Sequence, residues 1–320
     1  MDVNETKEAG NTPSFGGRSG PEGAGSSDPS EGSESTPLPR LGSLGKRVWL
    51  VLGGGGLKGL AHIGVWRALS EAGVKVQGVV GTSIGALVGA LIASGSSWQE
   101  MHELASALRR EDIVRVNRRA LLFNGIRQRS IFRGDTLRDY CREVLPDGGW
   151  DDLDMPLHVN AVELRYGKTE WFGPGARMDV SLLDAVYAST ALPVFYPPAE
   201  LPGGAYVDGG TEHPLALARA AAEGATGILG VDVGSGEEGE PEKILQQGML
   251  AVHQRIFSIM TWRRRRDLLA QWDGPPVLYV RPHLDGYETF DFVNIEYFVE
   301  EGYRAMIEAL EARGSADALG

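Results

Sequence analysis

A serine with the surroundings of a nucleophile lies in the segment Gly81–Gly85, whose residues Gly-Thr-Ser-Ile-Gly fit the pattern G-x-S-x-G. The residues before it form an apolar run typical of a strand, and those after it carry apolar side chains at helical spacing. At a strand-to-helix junction this pattern is typical of a nucleophile elbow, because small neighbours allow a sharp turn that exposes the hydroxyl. We therefore predict that Ser83 is a nucleophile. The simpler interpretation is a serine that only caps the helix.

A glycine-rich loop, Gly54–Gly59, follows another apolar run and fits G-x-G-x-x-G. Backbone N–H groups in such a loop can bind a nucleotide phosphate or the oxyanion of a reaction. A dinucleotide site needs an acidic residue at the end of the second strand, but that strand ends in VVGTS. A P-loop needs Ser or Thr after its lysine, and a glycine follows Lys58. The loop therefore favours an oxyanion hole, with N–H groups from Gly54, Gly55 and Gly56.

A proton acceptor for the serine is suggested by the segment Asp208–Gly210, Asp-Gly-Gly, at the end of a predicted strand. We predict that Asp208 is exposed at this turn and accepts the proton of Ser83 directly; the simpler interpretation is an ordinary D-G turn. A second possibility remains open, because the order Ser83, Asp208, His283 matches the triad order of α/β-hydrolases. His283, however, lies in a turn, RPHLDG, with no other catalytic signal.

Alternating strands and helices would position these groups. The continuous apolar run 48–52 is typical of a strand buried on both faces, and strand, helix, strand, helix follow in order. This order predicts a parallel sheet with right-handed crossovers, so both loops would open at one edge of the sheet. Farther on we predict a hairpin around Tyr166-Gly167 and helices over 214–223 and 291–313.

The composition predicts one α/β domain over residues 46–313. The chain has 320 residues, of which 42% are hydrophobic and 23% are charged. Residues 1–45 are rich in Gly, Ser, Pro and Glu and are predicted to be disordered, because they offer little apolar surface to bury. Residues 314–320 are interpreted as a short C-terminal tail.

Several functional classes are disfavoured by composition. The net charge of −12 argues against a general nucleic-acid binder, and the single cysteine, Cys141, excludes an internal disulfide framework or a Cys-rich zinc site. No signal peptide or transmembrane pattern is visible, so we expect a cytoplasmic protein. We expect neither a cofactor nor a metal ion.

Two basic, partly apolar segments could contact an anionic membrane. Segment 109–133 has eight arginines against Glu111 and Asp112 and includes Leu121, Leu122, Phe123, Ile126, Ile131 and Phe132. Segment 256–272 has four consecutive arginines, from Arg263 to Arg266, between two tryptophans. Such segments are typical of a membrane-surface contact or a lid, and equally of packed helices with solvated arginines.

Four motifs in order, GGGGLKG, GTSIG, ASTALP and DGG, make the region from about 48 to 234 resemble the patatin-like phospholipase family. The resemblance implies a three-layer α/β/α sandwich with a mainly parallel central sheet. It also implies a Ser–Asp dyad of Ser83 and Asp208, an oxyanion hole in the loop 54–56, and no cofactor. The implied reaction is hydrolysis of lipid acyl esters through an acyl-enzyme, as in phospholipases A, lysophospholipases and carboxylesterases.

One departure is that Lys58 stands where many relatives carry arginine, which keeps the charge but loses the planar fork. Two other functions remain open. One is a triad esterase that uses His283. The other is a non-catalytic lipid-binding or scaffold protein with a vestigial site.

Overall fold

Eight strands form one sheet in the computed structural model, which describes residues 44–116, 118, 127–236 and 239–317. In chain order the strands are β1 (Val48–Leu52), β2 (Gly78–Gly81), β3 (Leu157–Glu163), β4 (Thr169–Phe172), β5 (Ala199–Leu201), β6 (Gly204–Asp208), β7 (Gly227–Val231) and β8 (Val277–Val280). Their spatial order is β5-β6-β3-β2-β1-β7-β8, and β4 pairs with β3 beside this path.

The centre of the sheet is parallel. Strand β1 pairs in parallel with β2 and β7, β2 pairs with β3, and β7 pairs with β8. The hairpin predicted around Tyr166-Gly167 is present as β3 and β4, and β5 and β6 add a second antiparallel region. The predicted mainly parallel sheet is confirmed.

Helices occupy the connections between strands. They are α1 (Ala61–Glu71), α2 (Ile84–Ala93), α3 (Trp98–Ala107), α4 (Arg110–Ile113), α5 (Gly134–Val144), α6 (Leu182–Thr190), α7 (Leu217–Ala222), α8 (Pro241–Gln247), α9 (Met249–Ala270) and α10 (Ile295–Asp317). A 3-10 turn, Gly56–Leu60, precedes α1.

Two helices differ from the sequence prediction at their starts. Helix α7 begins three residues later than predicted. The Pro214 carbonyl instead accepts a hydrogen bond from Gly54 N–H, so Pro214 contacts the glycine loop and is not part of the helix. Helix α10 begins at Ile295 rather than 291, because the Asp291 side chain accepts from two following backbone N–H groups and forms a turn.

The sheet is buried on both faces, which gives three layers. On one face Leu50 and Leu52 of β1 pack in a core with α1, α2 and α10. On the other, Trp49 and Val51 pack with α7 and with the end of α9. Each fully buried side chain of this size contributes about 1.5–3 kcal/mol. The predicted three-layer α/β/α arrangement is confirmed.

The ends of the chain complete the description. Apart from Leu44 and Gly45, the predicted tail 1–45 lies outside the described residues, and α10 continues past residue 313 to Asp317. Among the described helices, none combines the length and apolar character needed to cross a membrane.

Candidate active site

Strand β3 brings Ser83 and Asp208 together. Gly81, at the end of β2, lies beside Val159 of β3, and Asp208, at the end of β6, lies beside Ala161. The ends of β2 and β6 therefore lie beside β3 residues that are two positions apart. Ser83 comes two residues after the end of β2, so it lies close to Asp208. Ser83 Oγ donates a hydrogen bond to Asp208 Oδ2 at 2.6 Å. The predicted pair is in contact.

The elbow holds Ser83 in a strained conformation. Its φ is +57° and its ψ is −127°, a region that non-glycine residues rarely adopt and that costs about 1–3 kcal/mol. The neighbouring glycines make the turn possible: a Cβ on Gly81 would lie 2.4 Å from the Gly85 carbonyl oxygen. A Cβ on Gly85 would lie 2.3 Å from the carbonyl oxygen of Leu52, at the end of β1. The G-x-S-x-G spacing therefore reflects close packing against the first strand.

Ser189 supports the elbow from helix α6. Its Oγ accepts a hydrogen bond from Ser83 N–H at 2.9 Å, and its side chain is fully buried. Thr82 Oγ1 donates to Asn160 Oδ1 at 2.9 Å, which ties the same turn to β3. Ser189 lies in the ASTALP motif, but no role for it was predicted from the sequence.

Asp208 is buried rather than exposed, which corrects the expectation of an open turn. It is only 2% exposed, and Gly210 N–H donates to its Oδ1 at 2.7 Å. Burial raises the pKa of Asp208 to about 6, although the hydrogen bonds from Ser83 and Gly210 lower it. Removing a carboxylate from water disfavours its charged form. The group is therefore a stronger base than an ordinary aspartate and is still ionised at pH 7.

The glycine loop passes directly beside Ser83. A Cβ on Gly54 would lie 3.1 Å from Ser83 Cβ. Gly54 N–H, however, donates a hydrogen bond to the Pro214 carbonyl at 3.2 Å. One of the three expected oxyanion donors is therefore already used in an internal hydrogen bond. Among the hydrogen bonds of the described residues, none uses the N–H of Gly55 or Gly56. These two are the donors that the loop can offer to a bound oxyanion.

His62, in helix α1, lies beneath the start of this loop. Its Nε2 lies 2.8 Å from the carbonyl oxygen of Gly53, and its ring is fully buried. Burial lowers the pKa of His62 to about 4. The neutral imidazole therefore acts as a fixed donor beneath the loop.

Lys58 is a buried cation behind the loop. It is 1% exposed, and its Nζ donates to Ser235 Oγ at 2.8 Å. Burial lowers the pKa of Lys58 to about 8. Nearby, Arg265 Nε lies 2.8 Å from Asp232 Oδ2, which also accepts from Arg281 at 2.9 Å. The cations here outnumber the carboxylates that pair with them.

A large pocket opens onto the Ser83–Asp208 pair. It encloses about 1380 Å³ of empty space, including its open mouth. Mostly apolar side chains from α2, α3 and α5 line it, together with residues of α9 and with Gly234 and Ser235, which follow β7. A cleft that is mostly apolar and has a few convergent polar groups is the usual form of a small-molecule site.

His283 is separate from this arrangement. Its side chain is 82% exposed and contacts Arg304 and Glu301, at 3.3 Å and 3.9 Å respectively from Nδ1. The Ser83 hydroxyl instead donates to Asp208 with no imidazole between them. His253 of α9 does line the pocket, and no role for it was predicted from the sequence.

The two basic segments predicted from sequence differ in how much of each the structure describes. In segment 256–272, Arg265 is buried in the ion pair with Asp232, so that arginine is not a surface cation. In segment 109–133, residues 117 and 119–126 lie outside the described residues. These include Leu121, Leu122, Phe123 and Ile126. Phe132 packs against Phe195 and Phe290, both of which line the pocket.

Known proteins similar to this chain were found by sequence and by structure. A family model described as patatin-like phospholipase matches residues 50–219. An uncharacterized NTE family protein of Mycobacterium tuberculosis is 35% identical over 198 residues, covering 62% of this chain and 52% of that protein. Lysophospholipase nte1 of Emericella nidulans is 28% identical over 312 residues, covering 85% of this chain and 19% of that enzyme.

The chain therefore spans about half the length of the mycobacterial relative and about a fifth of the fungal one. Among solved structures, VipD from Legionella pneumophila is similar with a TM-score of 0.46 and 16% identity, covering 84% of this chain and 67% of that one.

Proposed function

The chain belongs to the patatin-like phospholipase family, and from this premise we propose that it is a serine hydrolase of lipid acyl esters. Phospholipids or lysophospholipids are the proposed natural substrates. The observation that carries the proposal is the 2.6 Å hydrogen bond from Ser83 Oγ to the buried carboxylate of Asp208. The lysophospholipase name of the fungal relative supports the substrate class.

The proposed mechanism uses two residues and the loop. Asp208 takes the hydroxyl proton as Ser83 Oγ attacks the ester carbonyl, and the N–H groups of Gly55 and Gly56 stabilise the oxyanion. Asp208 then donates the proton to the departing alcohol, which leaves an acyl-enzyme on Ser83. Water, deprotonated by Asp208, then attacks this ester. Asp208 returns the proton to Ser83 Oγ as the fatty acid leaves, which restores the starting state. The raised pKa of Asp208 suits both proton transfers near neutral pH.

The test is an ester and lysophospholipid panel run on wild type, Ser83→Ala and Asp208→Asn. We expect both variants to lose hydrolysis by at least about a thousandfold, because each removes a group that acts in the transition state. A fluorophosphonate probe should label wild type and leave Ser83→Ala unlabelled. Ser70→Ala, which changes an exposed serine of α1, is the matched control and should behave as wild type.

Two outcomes would change this assignment. If His283→Ala lost activity while Asp208→Asn kept most of it, a triad esterase would replace the dyad. If wild type bound lipid but neither hydrolysed esters nor reacted with the probe, the non-catalytic lipid-binding alternative would hold.

Contact with an anionic membrane is the second part of the proposal, and α9 is the surface that supports it. Met249, Ile256 and Met260 are 84%, 53% and 51% exposed and recur at intervals of seven and four, so they share one side of the helix. The exposed Arg263 lies on the same helix. Because another side of α9 lines the pocket, a membrane bound here would lie next to the site.

Vesicle flotation tests this surface. Replacing Met249, Ile256 and Met260 by serine should reduce recovery with anionic vesicles, and Arg263→Gln should reduce it for anionic vesicles only. Leu164→Ser, at an exposed apolar residue after β3, is the matched control. Equal recovery of wild type with neutral and anionic vesicles would contradict an electrostatic contribution.

A further inference from the structure

The segment 232–235, which follows β7, packs directly against the glycine loop. A Cβ on Gly55 would lie 2.4 Å from the Val233 carbonyl oxygen, so the two backbones are in close contact. Gly234 and Ser235 of this segment also line the pocket that contains the Ser83–Asp208 pair. The position of Gly55, which is one of the two available oxyanion donors, therefore depends on where the segment lies.

Arg265 of helix α9 holds this segment at both ends. Its Nε lies 2.8 Å from Asp232 Oδ2, and its Nη2 donates to the Ser235 carbonyl at 2.6 Å. Between these two residues, a Cβ on Gly234 would lie 2.3 Å from Arg265 Nη1. The buried guanidinium therefore lies against the backbone of the segment and bridges its first and last residues.

Lys58 connects the glycine loop to the same segment. It belongs to the 3-10 turn Gly56–Leu60 that continues the loop, and its Nζ donates to Ser235 Oγ at 2.8 Å. Ser235 therefore accepts a hydrogen bond from Arg265 at its carbonyl and one from Lys58 at its hydroxyl. These contacts form a continuous connection from α9, through Ser235, to the loop that carries the oxyanion donors.

The charges of this cluster are costly to bury. Lys58 and Arg265 are 1% and 2% exposed, and the buried carboxylate of Asp232 is shared with Arg281, which donates to it at 2.9 Å. Burial, followed by Arg265 and Arg281, lowers the pKa of Lys58 to about 8, although Asp285 and Asp232 raise it. Because Arg281 already pairs with Asp232, a second buried arginine adds repulsion that an apolar side chain would avoid. Such costly charges beside a pocket are typical of functional sites.

We propose that Arg265 is a positioning residue for the oxyanion loop. It acts through Ser235 and Lys58, which hold the loop against the segment after β7. The N–H groups of Gly55 and Gly56 are thereby kept where the oxyanion of the reaction forms. Arg265 lies outside residues 50–219, the part of the chain that the family model matches. This inference rests on the proposed hydrolase function.

The test compares Arg265→Gln with wild type in two measurements, hydrolysis of a chromogenic ester and inhibition by an alkyl trifluoromethyl ketone. Ser83 Oγ adds to the ketone carbonyl as Asp208 takes the hydroxyl proton, so the carbonyl oxygen becomes an oxyanion that occupies the same hole. We expect kcat to fall by about ten- to hundredfold with little change in KM, since complete loss of one donor costs about a hundred- to thousandfold. The inhibition constant of the ketone should rise by the same factor by which kcat/KM falls.

The matched control is Arg266→Gln. Arg266 is the next residue of α9, but its side chain is 57% exposed, pairs with Asp267 and lies outside the described lining of the pocket. This variant should keep the wild-type kcat, KM and inhibition constant. A second test variant, Ser235→Ala, removes the hydroxyl that accepts from Lys58 and should lower kcat/KM and ketone affinity together. All rates are divided by the amount of enzyme that a fluorophosphonate probe labels at completion, which excludes unfolded protein.

Two results would overturn the inference while leaving the hydrolase function intact. One is a wild-type kcat/KM and ketone affinity, per labelled enzyme, in either Arg265→Gln or Ser235→Ala. The Ser235→Ala measurement decides the matter if Arg265→Gln does not fold. The other is a fall in kcat/KM with unchanged ketone affinity, because oxyanion binding would then be intact. The absence of Ser83-dependent hydrolysis in wild type would instead refute the proposed function itself.

Discussion

Replacing Asp208 by asparagine should stabilise the fold while it abolishes activity. Burial raises the pKa of Asp208 from 3.8 to about 6, so the folded protein holds the ionised carboxylate at a cost. A pKa difference of this size corresponds to about 3 kcal/mol at pH values above 6. Asparagine occupies the same volume without the charge. Subtracting about 1 kcal/mol for a weakened hydrogen bond with Ser83 or Gly210 leaves an expected gain of about 2 kcal/mol.

The pH dependence of this gain identifies its cause. Because the pKa is higher in the folded state, the folded protein binds the proton more tightly than the unfolded chain does. The penalty on wild type is therefore complete above pH 6, shrinks as the pH falls from 6, and disappears below 3.8. The difference between Asp208→Asn and wild type should shrink over that same range.

The assay is denaturant unfolding of both proteins at several pH values between 4 and 8, with ester hydrolysis measured on the same samples. Asp184→Asn, which changes a carboxylate at the start of α6, is a control away from the pocket. A stability difference that does not vary with pH, or a loss of stability at pH 7.5, would refute the argument that buried charge is the cause. Retained hydrolysis would refute the role of Asp208.

Three further predictions follow from the same site. The value of kcat/KM should fall about tenfold per pH unit below the pKa of Asp208 near 6, and His283→Ala should leave this profile unchanged; a loss of the profile in that variant would argue for a triad. Lys58→Met should raise stability at pH 7 by about 2 kcal/mol. Burial lowers the pKa of Lys58 from 10.5 to about 8, which penalises the charged form by about 3 kcal/mol, and loss of the hydrogen bond to Ser235 offsets about 1 kcal/mol. This gain should shrink between pH 8 and 10.5, and unfolding curves at pH 7 and 10 check it. Gly85→Ala should abolish probe labelling and destabilise the fold, because its Cβ would lie 2.3 Å from the Leu52 carbonyl oxygen; a fully labelled, stable variant would contradict the packing argument.

The nucleophile elbow could be predicted from sequence because its determinants are local. Ser83, the glycines on either side and the apolar spacing of α2 all lie within about fifteen residues of one another. The positive φ of Ser83 follows from the sharp turn that this pattern requires. The mainly parallel sheet could be predicted for a similar reason, because its strands and helices alternate along the chain.

The environment of Asp208 could not be predicted, because it depends on distant pairings. Sequence indicated only a D-G turn at the end of a strand, which is ordinarily exposed. The carboxylate is buried because β6 pairs with β3 in a register that places Asp208 beside Ala161. No local pattern encodes that register. The raised pKa, which makes the aspartate a stronger base, follows from this burial.

The glycine loop could likewise be predicted only in part. Its glycine content predicted close approach to an anion, which stays a prediction. The structure places the loop beside the nucleophile, since a Cβ on Gly54 would lie 3.1 Å from Ser83 Cβ. The sequence could not indicate which N–H groups are available to an oxyanion. Gly54 N–H donates to the carbonyl of Pro214, which is far away in sequence.

The most direct test of the Ser83–Asp208 account is the mass of the enzyme during turnover. Wild type is mixed with a lysophospholipid, quenched in acid within milliseconds to seconds, and analysed as intact protein and as peptides. The account predicts an added acyl group on Ser83, formed much more slowly in Asp208→Asn and never in Ser83→Ala. Hydrolysis that proceeds in Ser83→Ala, or an acyl group found on a different residue, would contradict it.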